Sequence, residues 1–410
     1  MLSRDHALIF AGAGLRATAV GLCGVILALH LATQGFAPTA IGLAVSLGLG
    51  GCALGTILVT FLADRYGRRT SLALVSFLMA AGGVVLASTT LPSVMLLSIL
   101  IGMINGMGRD RGAGLTVEQA ILPSTTTDAG RTRIFAWYNV VVDAGHAAGS
   151  LLGGLPALLR DHAGLAIWPS YQWTWAVYSL LCLAAGIQAL RLSRAVELTR
   201  SPVSTTPLSP ATRAVVVRWA ALSGLDSLGG GFLTSALLGY WFFRRFGVDE
   251  SLLGPLFFAV RVLNGVSHLG AAWLATRIGL VNTMVWTHLP SSVLLMTVPV
   301  APNLTLAVAL FLIREALVEM DVPTRQSYIM AVVPAPDRTR AAGIANLTRS
   351  IAWAVSPVIA GGLMRISLSA PLVVGPAMKV AYDVLLFHAF RHLKPPEEWR
   401  IFPSASPPSS

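Results

Sequence analysis

The chain has 410 residues, 55% of them hydrophobic and only 11% charged, with a mean hydropathy of +0.71. An ordinary soluble domain carries about 25% charged residues, so this composition excludes one and points to a chain dissolved in lipid. The net charge of +11 would suggest nucleic acid in a soluble protein; here loop asymmetry accounts for it, and no nucleic-acid partner is expected.

Apolar runs of about 20 residues, long enough to cross a bilayer, recur along the whole chain. Lipid offers no partner to a backbone amide, so each run is read as a helix. The predicted spans are 7–31, 39–63, 70–89, 92–122, 133–158, 171–191, 213–243, 250–275, 280–300, 303–333, 340–366 and 370–392. Arg16 inside the first run, and the lack of a small-residue cleavage site, argue for a helix there rather than a signal peptide. Residues 192–212, with Pro202, Pro207 and Pro210, read as a polar linker between an N-terminal half (1–191) and a C-terminal half (213–392). The Ser/Pro-rich end, 393–410, reads as a disordered tail. Cys23, Cys52 and Cys182 sit inside apolar runs and are expected to be packing residues. No disulfide pair, metal-ligand spacing or haem motif is present, and no metal or cofactor is expected.

Placing the N-terminus inside puts sixteen Arg/Lys residues in the inner segments. Four lie on the opposite side: Arg160, Arg244, Arg245 and Arg365. The positive-inside rule therefore predicts an integral protein of the inner (plasma) membrane with both termini and the linker cytoplasmic.

The two halves repeat one polar pattern. An offset of 207 residues aligns Gln119 with Gln326, Arg131-Thr-Arg133 with Arg338-Thr-Arg340, and Asn139 with Asn346. Duplicated apolar bundles of this kind are a common transporter design.

Between the second and third spans stands Ala63-Asp64-Arg65-Tyr66-Gly67-Arg68-Arg69, with a degraded copy at Ala275-Thr276-Arg277-Ile278-Gly279. This loop resembles the signature of the major facilitator superfamily, with Thr60 in place of the family's leading Gly. In span 5, Gly145-x-x-x-Gly149-Ser150-x-x-Gly153-Gly154 is similar to the antiporter signature of that superfamily's drug:proton export group. Glycines at this spacing let two helices approach closely, and ordinary small-residue packing reads the same way. The resemblance implies an all-α fold of twelve transmembrane helices in two pseudo-symmetric halves, with spans 1, 4, 7 and 10 lining a central cavity. It assigns conformational gating to Asp64, Arg65, Gly67, Arg68, Arg69, Gly145, Gly149, Gly153 and Gly154.

Ionisable groups at bilayer depth are costly and mark pathways by default. Charges fall on all four cavity spans, and Arg16, Arg109, Asp110, Arg111, Asp226, Arg261 and Arg314 are the expected substrate-contacting set. Arg109, Asp110 and Arg111 step about 100° each around a helix, so they cannot all face one cavity. Glu315 and Glu319, one turn apart on span 10, cannot both ionise cheaply unless an Arg intervenes, and head the list of proton carriers. Asp226 and Asp143, the latter beside His146, are the other candidates. Lys379 and Asp383, and Asp321 and Arg325, are spaced i and i+4 and are expected to pair with each other. His268 and His288 read as hydrogen-bonded packing residues. Tyr240-Trp241-Phe242-Phe243 reads as an interfacial aromatic belt or a stacking surface for substrate.

No phosphate-cradling loop with Lys, HExxH or GxSxG motif occurs, so no enzyme or nucleotide motor is expected. The expectation is a monomeric secondary transporter exchanging a small-molecule substrate for protons by alternating access. Export is favoured. Uptake or exchange of a small organic anion is the alternative, because six arginines lie near membrane depth. An intramembrane hydrolase using Asp143/His146 or the span 10 acids is a remote third reading.

Overall fold

The computed structural model describes residues 4–122, 128–197, 210–321, 324–325, 328, 333 and 337–390. All regular structure among them is helical. In chain order the α-helices are α1 (Arg4–Thr33), α2 (Pro38–Tyr66), α3 (Arg68–Ser88), α4 (Pro92–Ile101), α5 (Ala113–Ile121), α6 (Asp128–Leu152), α7 (Leu155–Ala163) and α8 (Ile167–Leu190). They continue with α9 (Pro210–Gly231), α10 (Ser235–Phe246), α11 (Glu250–Ile278), α12 (Leu280–Thr297), α13 (Leu304–Val318), α14 (Arg338–Ile366) and α15 (Ala370–Phe390). Seven of these (α1, α2, α3, α8, α11, α14 and α15) are long and apolar enough to cross a membrane. Most of the linker and the whole tail lie outside the described residues.

The helices follow the predicted spans, with four breaks inside runs expected to be continuous, one of them at Gly153-Gly154 in span 5, where α6 gives way to α7. Span 4 divides into α4 and α5 around an irregular stretch from 102 to 112. Span 7 divides after Gly229-Gly230-Gly231, and Thr234 restarts it by accepting a bond from the Leu237 amide at 3.3 Å as the N-cap of α10. Span 10 breaks when α13 ends at Val318.

The break in span 4 has a clear local cause. Gly102, Gly106, Gly108 and Gly112 weaken the helix, and Met103 (φ 51°) and Gly108 (φ 70°) adopt left-handed conformations. Backbone groups freed at such a depth must find other partners. The Asn105 side chain accepts from the Met107 amide (3.1 Å) and Asp110 from the Gly112 amide (2.8 Å). His146 Nε2 accepts from the Asp110 amide at 2.9 Å. The Cys52 and Cys23 thiols donate to the carbonyls of Met103 and Asn105, each at 3.4 Å. The Ala236 amide donates to Gly106 O at 2.9 Å, and Ser235 Oγ to Met107 O at 3.0 Å. The three cysteines are free and buried, as expected.

Two compact units result. One comprises Met1–Ser204, Gly231–Arg261 and Trp353–Ala370; the other comprises Thr205–Gly230, Val262–Ala352 and Pro371–Ser410. In the first, α1 is almost wholly buried and runs against α6 along a seam of small residues. A Cβ on Gly149 would stand 2.0 Å from Thr18 O, and one on Gly145 2.7 Å from Gly14 O. Gly153 faces the Val25 side chain at 2.5 Å, and Gly21 faces His146 O at 2.3 Å. Tyr240, Trp241 and Phe242 are buried in this unit, and Trp241 donates to Ser369 Oγ at 3.0 Å. They are core residues, which corrects the expectation of an interfacial belt. In the second unit, Trp219 stacks on Tyr328 at 5.5 Å, with Phe390 edge-on to both.

Candidate functional site

Each unit encloses its own buried charge cluster. In the first, Arg16 of α1 is 2% exposed. Its guanidinium grips both oxygens of Glu118 at 3.0 and 2.6 Å, and its Nε donates to Asp110 Oδ2 at 3.1 Å. The Tyr138 hydroxyl donates to Glu118 Oε2 at 2.7 Å. Gly114 makes room for this fork, since a Cβ there would come 2.6 Å from Arg16 Cζ. A bidentate Arg–carboxylate pair is a strong, directional hydrogen-bonded contact.

The irregular stretch sets Asp110 and Arg111 on different partners. Asp110 faces Arg16. Arg111 lies over the Trp353 ring at 4.4 Å, a cation–π contact. Arg109 is half-buried. Arg261 of α11 donates to Ser235 Oγ (3.1 Å) and Met107 O (3.4 Å), against Gly108. Asp110 and Arg111 face different partners on unwound backbone, where no helix steps them by 100°.

The second cluster centres on Asp226 of α9, which is 5% exposed. Lys379 of α15 donates to its Oδ1 at 2.8 Å, and Arg325 to its Oδ2 at 2.7 Å. Arg325 also pairs with Asp321 at 3.0 Å, as the i, i+4 spacing predicted. Lys379 and Asp383 were expected to neutralise each other and instead take outside partners. Asp383 bonds His288 Nδ1 at 2.9 Å, while Lys379 Nζ reaches His288 Nε2 at 3.2 Å. The reason is burial: taken out of water, each group is satisfied by tertiary partners on α9 and α12.

Glu315 and Glu319 do not share a continuous helical face, because α13 ends between them. Glu315 is buried and bonded to Arg314. Glu319, at the C-cap, lies 3.9 Å from His268 Nε2. Asp143 has a side chain 61% exposed, with Oδ1 4.0 Å from the buried His146.

The loop between α2 and α3 is built around Gly67, whose φ of +94° favours glycine. Glu197, from the segment after α8, accepts from the amides of Arg68 (2.6 Å) and Arg69 (3.2 Å), capping α3 with a carboxylate. The Arg68 guanidinium donates to Ala120 O at 2.8 Å, and Arg69 to Leu192 O at 3.2 Å. Arg65 lies over the Tyr66 ring. Asp64 is helical, and its side chain lies outside the described residues. Gly154 sits against Glu250 O, its Cβ position 3.4 Å away.

At the start of α11, Arg160 of α7 donates to Glu250 Oε2 at 2.6 Å and to Asp249 Oδ2 at 3.3 Å. The Tyr171 hydroxyl donates to the other Glu250 oxygen. Burial works to raise the Asp249 pKa. The Ser251 hydroxyl and amide, together with Arg160, overcome that and hold it below the usual value.

The model for the Major Facilitator Superfamily matches residues 9–357. The chain belongs to the major facilitator superfamily. It is 26% identical to an uncharacterized membrane protein of Saccharomyces cerevisiae over 88% of each chain. Its fold is similar to that of a D-xylose-proton symporter (TM-score 0.72, 17% identity, 93% of this chain and 96% of that one). It is similar also to a nucleoside transporter (TM-score 0.71, 14% identity, 95% and 98%). A third is a bacterial homolog of the human lysosomal transporter Spinster, solved inward-facing and unoccupied (TM-score 0.67, 15% identity, 100% of each). At these identities the structures show a shared fold. A superfamily member with this composition is an integral membrane transporter of small molecules rather than an enzyme.

Several residues that organise this superfamily fold were invisible as sites in the sequence. Glu118 has a partner 102 positions away, and His288 looks like an isolated polar residue in an apolar run. Glu197 could have been suspected, as the one acid in an otherwise basic stretch directly after the last span of the first half.

Proposed function

We propose that this chain is a twelve-span, proton-coupled exporter of a small molecule, working by alternating access from the inner (plasma) membrane with both termini cytoplasmic. The observation that carries the reading is the pair of buried carboxylate–cation clusters on the expected cavity spans. Groups so costly to bury are retained where charge or protons move. Among the candidate carriers, Asp226 is assigned the coupling role. It is shared between two cations, Lys379 and Arg325, in a network that reaches His288 through Lys379. The glycine seam of Gly145, Gly149 and Gly153 against α1 supports export. Gating is assigned to the Gly67 loop, whose Arg68 and Arg69 tie α3 to neighbouring backbone.

A second reading, transport of a small organic anion, is favoured by one feature. Arg111 and Arg261 both stand at the unwound stretch of span 4 in the first unit, where an anion could be held by guanidinium groups and backbone amides.

A screen of metabolite and drug accumulation in cells with and without the protein identifies a substrate. In inverted vesicles with an acid interior, adding that substrate then releases protons, and an uncoupler abolishes uphill movement. Substrate movement indifferent to the uncoupler would reject the proton-coupled reading and leave facilitated transport or anion exchange.

A further inference from the structure

The first cluster is anchored by Arg, which keeps its proton at any physiological pH. The second contains His288, placed between an anion and a cation. Its Nδ1 faces Asp383 at 2.9 Å and its Nε2 faces Lys379 Nζ at 3.2 Å. A carboxylate accepts and an ammonium donates, so this geometry fixes the neutral tautomer: Nδ1–H donates to Asp383, and the Nε2 lone pair accepts from Lys379. The Nε2 atom is therefore the place a further proton can enter. Lys379 already has its alternative partner, Asp226, at 2.8 Å.

We propose that His288, on a helix outside the expected cavity set, is a proton-binding site that passes its charge state to Asp226 through Lys379. The inference rests on the proton-coupled reading above. The proton adds to His288 Nε2 and no covalent bond breaks. The imidazolium is held by Asp383 and repels the Lys379 ammonium, which gives its whole donor set to Asp226. Asp226 is then held more tightly by Lys379 and less by Arg325. Loss of the proton returns Lys379 to a shared position. The groups facing this relay are Asp226 of α9, Asp321 and Arg325 of span 10, Arg349 of α14, and Lys379 and Asp383 of α15. The Tyr382 ring stands edge-on to the imidazole at 6.0 Å. With three acids and three bases balanced, the neutral histidine sets the net charge of the described cluster near zero, and one added proton makes it positive.

The test uses the full chain in lipid nanodiscs, with protons as the only ligand and ¹⁵N-labelled histidine as the reporter. One imidazole signal, absent from His288→Gln, should change from the singly to the doubly protonated pattern as the solution is taken from neutral to acid. The Gln amide can keep both hydrogen bonds but takes no proton. In Asp383→Asn, which keeps an acceptor for Nδ1 but not the charge, the change should disappear, and Asp383→Glu should restore it. If His288→Gln fails to fold, replacing the seven other histidines leaves the His288 signal to be read alone. A His288 signal constant from neutral to acid solution overturns the inference, because a merely structural histidine would behave so. A silent His288 with uncoupler-sensitive transport rejects this site and leaves proton coupling intact. A titrating His288 with uncoupler-insensitive transport supports the site and rejects the coupling it was proposed to serve.

Discussion

The two clusters place their charges on the first and fourth spans of each sequence repeat, with opposite signs. At the offset of 207 that aligns the repeats, Glu118 falls on Arg325 and Gly114 on Asp321. In the first repeat the cation comes from the first span and the acid from the fourth; in the second the acid comes from the first span of that half and the cation from its fourth. The offset carries only the fourth-span partner across, since Arg16 falls on Ser223 and Asp226 on Ala19. The partners also differ. Glu118 is closed off by one guanidinium fork and a tyrosine, leaving little for a proton to change. Asp226 is divided between Lys379 and Arg325, and Lys379 leads on to His288 and Asp383. The comparison separates a fixed ionic joint from an adjustable one.

The largest expected effect lies in the fixed joint. Glu118→Ala leaves Arg16 buried without its main partner, and breaking such a pair costs about 3–5 kcal/mol. The variant should melt far below wild type in detergent or fail to accumulate. Wild-type melting would contradict the rigid role. In the adjustable cluster, Asp226→Asn should remain folded enough to catalyse counterflow, which needs no net proton movement, while uphill transport falls at least tenfold. Loss of both activities in equal measure would make the two clusters equivalent. Glu315→Gln and Glu319→Gln test the competing site. If Asp226 carries the coupling, each should keep gradient-driven transport within a few-fold of wild type, and failure of uphill transport in either would move the proton to span 10.

Smaller effects probe the ends of the helices. Glu197→Ala removes the carboxylate from the α3 N-terminus and should lower stability by about 0.5–2 kcal/mol, read from thermal melting. It should slow transport more than it weakens substrate binding, since it loosens the backbone tie between α3 and α5 and removes no charge from the buried clusters. The smallest effect concerns pH. Asp249 is held below its ordinary value, so its contribution to folding is complete above the unfolded carboxylate pKa of about 3.9 and disappears as the pH falls through the lower folded value. Arg160→Gln should therefore reduce the difference in melting temperature between neutral and strongly acid solution, and leave melting between pH 6 and 8 almost flat.

Hydropathy placed the outer ends of most spans within a few residues of those observed, because the length of an apolar run is a local property. The break in span 4 was also legible in principle. Gly102, Gly106, Gly108 and Gly112 crowd one short run, yet apolar length outweighed them in reading a continuous helix. The charge partners were a different matter. Spacing correctly paired Asp321 with Arg325 and wrongly paired Lys379 with Asp383, although both pairs have the same i, i+4 separation. Nothing local distinguishes them. The choice is made by Asp226 and His288, which reach α15 from helices 153 and 95 positions away in sequence.

The thiols that hold the irregular part of span 4 give the protein a built-in clock. Every cysteine in the chain is buried, so an alkylating reagent finds nothing to modify in the state described. Cys23 and Cys52 both donate to carbonyls of that stretch, and they become reachable only when it shifts or rewinds. Their rate of labelling measures how often the broken span moves, without any introduced probe.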